Sequence, residues 1–309
     1  MTLTVRDLRA ADRADAGAFA NIRRHALPFM VDTAESLLHD VAHAPPEAHH
    51  QQLVAEADGE VIGTARVYVA YDSPVPGQGN VNVYVHPERL RRGAGGALVR
   101  AAEERLTAVG ATRLLSWVLD TPENRAFAER RGYTASRSAH FLRLDLAHGT
   151  LPPRRTPPEG VELRTAADFA DDPRPLFDLD AETTADEPND VGAELDDYEQ
   201  WLVETFRHPL LDRALSTVVV VEGAPVAFTA VRTDGRDRYF TGMTGTARAF
   251  RGRGLAKLAK NDSLHRARAA GYAEAFTGND SDNGPMLAVN KWFGYEVCAT
   301  EVRYVREAG

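Results

Sequence analysis

The sequence predicts an α/β (α+β) chain of two similar domains, each a mixed, twisted sheet flanked by helices. Three observations lead there. Short β-rich runs alternate with longer helical runs through both halves. A glycine turn that feeds a helix occurs twice: Arg92-Gly93-Ala94-Gly95 matches Arg253-Gly254-Leu255-Ala256 at an offset of 161 residues, Gly110 matches Gly271 at the same offset, and Gly132-Tyr133 matches Gly294-Tyr295 at 162. Between the halves, positions 147–158 hold four prolines and a glycine, which suits an exposed, semi-rigid connector. The expected domains are therefore 1–146 and 159–309, with the linker at 147–158.

In the first half, Val5-Arg6-Asp7-Leu8 reads as a strand and Ala11 to Arg24 as a helix. A second helix runs from about Asp32 to His43, capped by Asp32 or Thr33. Leu53 to Ala57 and Val61 to Ala70, joined at Asp58-Gly59, form a hairpin, and Val81 to Val85 is the next strand. Gly95 to Val109 is a helix with Leu98, Ala102, Leu106 and Val109 on one face, Leu114 to Val118 a strand, Pro122 to Arg131 a helix, and His140 to Leu146 the closing strand. The second half repeats the order. Val161 to Arg164 opens it, Thr217 to Glu222 and Pro225 to Val231 form its hairpin, and Tyr239 to Thr246 leads into the glycine turn. A helix from Gly254 to Ala270 stops at Gly271, and a strand from Ala273 to Thr277 follows.

Composition excludes several functions. A net charge of −9 and a pI of about 5.6 argue against nucleic acid or an anionic membrane as partner. Cys298 stands alone, so no internal disulfide forms; it falls in the last strand and is read as core. No apolar run approaches about 18 residues, and the N-terminus lacks a signal-peptide core, so a cytoplasmic protein is expected. His39 and His43 lack a carboxylate or cysteine partner set and are read as solvated, with no metal expected.

A glycine turn entering a helix start is an anion site, because the first helical N–H groups lack internal partners and glycine lets a phosphate approach the backbone. The P-loop pattern is absent, and the dinucleotide fingerprint fails because Lys257 stands where its third glycine belongs. Arg251 to Ala256, Arg-x-x-Gly-x-Ala, resembles the acyl-CoA pyrophosphate loop of the GNAT acetyltransferase superfamily, Arg/Gln-x-x-Gly-x-Gly/Ala. Asn283, Asn290 and Phe293-Gly294-Tyr295 follow in the family's order. In the first half, Val83-Tyr84-Val85-His86-Pro87 precedes its loop as in family members, but Leu90 stands where Arg or Gln is expected, Thr121 in place of Asn283 and Val118 in place of Asn279. Length and two-domain plan are similar to those of the mycothiol synthases.

The resemblance implies two tandem GNAT domains, the first degenerate and the second catalytic, moving an acetyl group from acetyl-CoA to a primary amine of a small cationic metabolite such as an amino sugar. Direct attack in a ternary complex is the implied route. Charge developing on the thioester oxygen would meet N–H groups around Thr244 to Thr246. The pyrophosphate would rest on Arg253, Gly254, Leu255 and Ala256, with Arg251, Lys257 or Lys260 adding charge. Asn283 and Asn290 would contact the pantetheine arm or fix the neighbouring backbone, and Asn279 would join the cofactor site; for Asn283, helix capping is the other reading. Val85, Arg92, Gly93 and Gly95 are the counterparts in the first domain. Phe240 stands where many relatives carry a glutamate base, and Asn290 (Ala128 in the first copy) where many carry a tyrosine acid. Thr244, Tyr239 and Asn290 remain as catalytic candidates. Asp178 to Glu199 holds ten acidic residues and no Lys or Arg, readable as a solvated loop or as a wall that draws in a cationic amine. Two functions stay open: the transferase, as monomer or homodimer, and a non-catalytic acyl-CoA sensor or sequestering protein.

Overall fold

A computed structural model describes residues 2–187 and 195–308. In chain order the elements are β1 (Leu3–Asp7), α1 (Arg13–Ala26), α2 (Ala34–His43), β2 (Gln51–Ala57), β3 (Glu60–Val69), β4 (Gln78–Val85), α3 (Ala94–Ala108), β5 (Arg113–Leu119), α4 (Pro122–Glu129) and β6 (Thr134–Asp145). The second half contributes β7 (Val161–Thr165), α5 (Arg174–Thr184), α6 (Tyr198–Trp201), β8 (Thr217–Val221), β9 (Ala224–Thr233), β10 (Arg238–Thr246), α7 (Leu255–Ala269), β11 (Glu274–Asp280), α8 (Gly284–Trp292) and β12 (Glu296–Glu307). No helix among the described residues is long and apolar enough to cross a membrane.

The described chain divides into two compact units, residues 2–139 with 299–308, and residues 140–187 with 195–298. This differs from the expected boundaries. His140 to Leu146 belongs to the second unit, and the last strand from Ala299 onward to the first. The cause is backbone pairing: Glu301–Glu307 of β12 forms an antiparallel ladder with Leu119–Arg113 of β5. The expected linker is also pinned rather than free. Asn261 of α7 accepts from the Arg155 N–H at 2.8 Å and donates to the Pro152 and Pro153 carbonyls, and the Arg268 guanidinium bonds the Leu146 and Gly149 carbonyls.

In the first unit β1 to β4 run antiparallel, and β4 meets β5 in parallel. Strand alternation gives this sheet two unlike faces. Leu53, Ala65, Val67, Val81, Leu114 and Tyr304 pack under Leu98, Ala102 and Leu106 of α3. The opposite face is mixed: Val54 packs with Phe19 of α1 and Leu37 of α2, while Gln52 is registered with Arg66, Arg66 with Asn82, Thr64 with Tyr84, and Arg303 with Trp117. Arg23 of α1 reaches this face, its guanidinium 5.1 Å from the Tyr84 ring centroid. A polar face withdrawn from water costs free energy unless it is hydrogen-bonded.

The second unit repeats the antiparallel run β7 to β10 and the parallel pair β10–β11, with His140–Asp145 of β6 beyond β11. Its face beneath α5 and α6 is apolar, with Phe177, Trp201 and Phe206 against Val218, Val220 and Phe228. Gly245 of β10 lies so close to α5 that a Cβ there would come within 2.5 Å of Thr183 Oγ1. Cys298 is exposed at the start of β12, contrary to the core position expected, because that end of the strand precedes the ladder with β5.

Candidate functional site

Both units open the same gap. β4 and β5 pair only over Gln78–Asn80 and Arg113–Leu115, although β4 runs on to Val85 and β5 to Leu119. β10 and β11 likewise pair over Arg238–Thr241 and Glu274–Thr277, and then part. In β10 the parting coincides with a register shift between Thr241 and Met243, a bulge that turns the strand aside. Beyond the divergence the facing backbone groups no longer bond each other across the pair; in the second unit an extended ligand can lie between them, while in the first the Asn82 side chain reaches across to accept from the Trp117 N–H at 3.0 Å.

A helix begins beside each gap. Gly93 (φ 87°) and Gly254 (φ 74°) are the N-caps of α3 and α7, in the left-handed conformation that favours glycine. Neither helix has a side-chain cap or an acidic residue in its first turn. The first-turn amides of both helices therefore suit an anion such as a pyrophosphate.

Around α7 the expected residues fall into two groups. Arg251, Arg253 and Gly254 are exposed, and Ala256 and Lys257 half-buried, at the mouth of the gap; Leu255 is buried beneath them. Arg251 donates to the Thr246 carbonyl at 3.1 Å and pairs with Asp186, which also binds Arg248 through both carboxylate oxygens. These arginines hold the Asp186 carboxyl down at about 2. Thr244 shares a hydroxyl hydrogen bond with Thr229 at 2.9 Å. Asn283 caps α8, accepting from the Met286 N–H at 3.3 Å, which is its capping role. The second group is interior. Tyr239 is fully buried, its hydroxyl 2.8 Å from Ser263 Oγ, and burial pushes its phenol up to about 12. Asn290 is fully buried, accepting from Lys260 Nζ and donating to Asn279 Oδ1, each at 2.5 Å. These contacts place Tyr239 and Asn290, two of the expected catalytic candidates, as hydrogen-bonded residues in the second unit's core. Sequence periodicity did not distinguish the two cases, because a strand tyrosine and a helix asparagine occupy inward positions either way.

Lys260 also moves from loop charge to core. It is fully buried, with Nζ 4.8 Å from the Tyr295 ring centroid, and desolvation lowers its ammonium to about 7. A base depressed in the folded state destabilises that state wherever the unfolded chain still holds the proton. Stability therefore rises as pH increases from about 7 towards the ordinary 10.5. Denaturant midpoints measured from pH 7 to about 9.5 are expected to climb in the wild type and to flatten in Lys260→Met. A wild-type midpoint that does not climb would show Lys260 to be solvated.

The acidic run is largely committed to contacts within the second unit. Asp178 pairs with Arg174, Asp180 accepts from Trp201 Nε1 at 2.8 Å, and Glu182 accepts from the Arg248 N–H at 2.7 Å. Burial raises the Asp180 carboxyl. Asp197 caps α6, and Asp190 and Glu194 lie outside the described residues.

In the first unit, Gly93 and Gly95 sit at the start of α3, with Arg92 exposed and Val85 half-buried at the end of β4. The sequence reading missed the most perturbed carboxyl beside this gap. Glu301 of β12 is 6% exposed, accepts a 3.3 Å hydrogen bond from the Tyr84 hydroxyl, and is raised to about 7 by desolvation. The only signal in the sequence was the alternation of Glu301 and Arg303 with Val302 and Tyr304, which does not name a partner strand.

The acetyltransferase (GNAT) family's sequence profile matches residues 19–133 and again 176–295, one copy in each half. The chain belongs to the GNAT family. Membership makes it an acyltransferase, in a family whose acetyltransferases use acetyl-CoA. Relatives include the mycothiol acetyltransferase of Kineococcus radiotolerans, 30% identical over 82% of this chain and 80% of that one. The mycothiol acetyltransferase of Nocardia farcinica is 30% identical over 84% and 83%. Among solved structures, a tandem GNAT protein from the clavulanic acid biosynthesis pathway aligns over 100% of this chain and 99% of its own, with a TM-score of 0.73 and 23% identity. A GCN5-related N-acetyltransferase from Sphaerobacter thermophilus aligns with a TM-score of 0.69 and 22% identity, over 99% of this chain and 96% of its own. At these identities the structures attest the tandem GNAT fold alone.

Proposed function

We propose that this GNAT protein transfers an acetyl group from acetyl-CoA to the primary amine of a small cationic metabolite, such as an amino sugar or an aminoglycoside-like compound. The observation that carries the reading is the second unit's combination of an open strand pair, an uncapped α7 and the Arg251–Ala256 loop. The pyrophosphate lies on the α7 amides, with Arg251 and Arg253 beside it. The thioester lies along β10 beyond Thr241, where N–H groups of the parted strand meet the charge developing on its oxygen.

The amine attacks directly, since Cys298 lies outside the gap's strands β10 and β11. An alkylammonium with pKa about 10.4 must first lose a proton. The acidic run on and after α5 supplies negative potential for the cation, and Asp180 and Glu187 are carboxylates in it that burial has made more basic. Similarity to mycothiol acetyltransferases over four-fifths of the chain supports a small-molecule acceptor.

The test is thiol release from acetyl-CoA across a panel of amino sugars, aminocyclitols and polyamines, with the acetylated product weighed by mass spectrometry. One or more amines should give one thiol per acetamide formed. Tight acetyl-CoA binding with no thiol above background across the panel would instead establish an acyl-CoA sensor.

A further inference from the structure

We infer that the first unit is an acyl-transfer centre in its own right, taking a small polyhydroxylated amine on the polar face of its sheet, with the Glu301 carboxylate, delivered by the last strand of the chain, as its proton acceptor. This rests on acetyl-CoA being the co-substrate, as proposed above, and adds a second centre to it.

β3, β4 and β12 place Ala65, Val67, Val81 and Tyr304 under α3, and Thr64, Arg66, Asn82, Tyr84, Glu301 and Arg303 on the other face. Yet this polar face is not in water. Gln52 is 3% exposed and Thr64 fully buried, and Gln52 Oε1, Thr64 Oγ1 and Arg66 Nε have no hydrogen-bond partner. Buried polar atoms are ordinarily paired, so a row of unpaired ones marks places for a ligand's polar atoms. The row contains an acceptor (Gln52 Oε1), a donor (Arg66 Nε) and a hydroxyl that is both, and hydroxyl groups on a ligand satisfy all three. The corresponding face of the second unit is filled by Phe177, Trp201 and Phe206 against Val218, Val220 and Phe228, whereas in the first unit the apolar cluster around Phe19, Leu37 and Val54 stands beside Gln52, Thr64 and Arg66.

Glu301 stands on the same face. Its neighbours are Tyr84 on β4, Arg23 on α1 and Arg303 on its own strand; Arg23 is engaged by Asp32, and Arg303 donates to Asn80 and lies over the Trp117 ring. Tyr84 lies on the stretch of β4 that has parted from β5, the stretch along which the thioester would run. Desolvation outweighs Arg23 and Arg303, so Glu301 is basic enough to accept a proton near neutrality. In the step, the ammonium gives a proton to the Glu301 carboxylate, and the freed lone pair forms the N–C bond at the thioester carbon. The C–S bond then breaks with its electrons on sulfur, and the thiolate is protonated from solvent.

The test uses the full chain with Arg251→Glu and Gly254→Asp, which closes the second unit's pyrophosphate site, and reads thiol release from acetyl-CoA with glucosamine and with 2-deoxystreptamine. Release should persist in this background and disappear when Gly93→Asp is added. Glu301→Gln in the same background should lower kcat about 100-fold and abolish the acid limb near pH 7, with a thermal midpoint equal to or above the parent's. Should Glu301→Gln not fold, Tyr84→Phe must move that limb, and an unmoved limb overturns the assignment. No release in the background while the wild type releases thiol overturns the first-unit centre and leaves the proposed function standing. Unchanged rate and pH profile in Glu301→Gln overturn Glu301. No release by the wild type with any amine overturns both readings.

Discussion

Acetyl-CoA titrated calorimetrically into the Arg251→Glu, Gly254→Asp protein is expected to lose its second-unit site, with affinity there falling by about 100-fold or more. The reason is local to the start of α7. Its first-turn amides have no side-chain cap. An aspartate at Gly254 would occupy them itself, since Asp is among the best N-cap residues, and would set a carboxylate where the pyrophosphate belongs. Gly254 is in the left-handed region, which Asp tolerates better than most residues, so the fold should survive the change. Glutamate at 251 removes one of the two arginines that Asp186 holds and adds repulsion in its place. Stoichiometry then decides which units bind. Two equivalents falling to one assign a site to each unit, and one falling to none assigns the only site to the second. One equivalent unaffected by the variant would exclude the second unit as the binding domain.

Asp32→Ala is expected to destabilise the first unit by about 3–5 kcal/mol, the range for stripping one partner from a buried pair. Asp32 Oδ2 accepts from Arg23 Nε at 2.9 Å and Oδ1 from Arg66 at 3.4 Å. Arg23 is only 5% exposed, so its guanidinium would remain charged away from water with its nearest acceptor gone. Asp32→Asn, which keeps an acceptor but loses the charge, should cost less. The double variant Arg23→Met, Asp32→Ala should recover much of the loss, because an apolar side chain needs no partner. Urea unfolding followed by fluorescence measures all three. A loss below about 1 kcal/mol for Asp32→Ala, the range of exposed pairs, would show that water reaches Arg23.

The readable part of this protein was local. Glycines at 93 and 254 start helices because only they accept a left-handed cap at little cost, and the helices end by Gly110 and Gly271, near where composition indicated. Thr33 caps α2 and Thr121 caps α4, both within reach of ordinary capping rules. The uncapped glycine start of α7 was legible for the same reason, since it is a backbone feature of one helix start. Side chains that act through distant partners were not. Asn290, Lys260 and Tyr239 read as site residues because they fall near the loop in sequence, whereas each is turned into the second unit's core.

Strand order was the other thing left undetermined. Glu301 and Trp117 are far apart along the chain, and alternation says which residues share a face without saying which strand lies alongside. Two tandem GNAT folds and their helix starts were legible from residue order, because hydrophobic period, caps and glycine conformations are short-range. That β12 completes the first unit and brings a desolvated carboxylate to Tyr84 followed from the fold. Backbone pairing between strands is long-range, and desolvation depends on everything packed around a group.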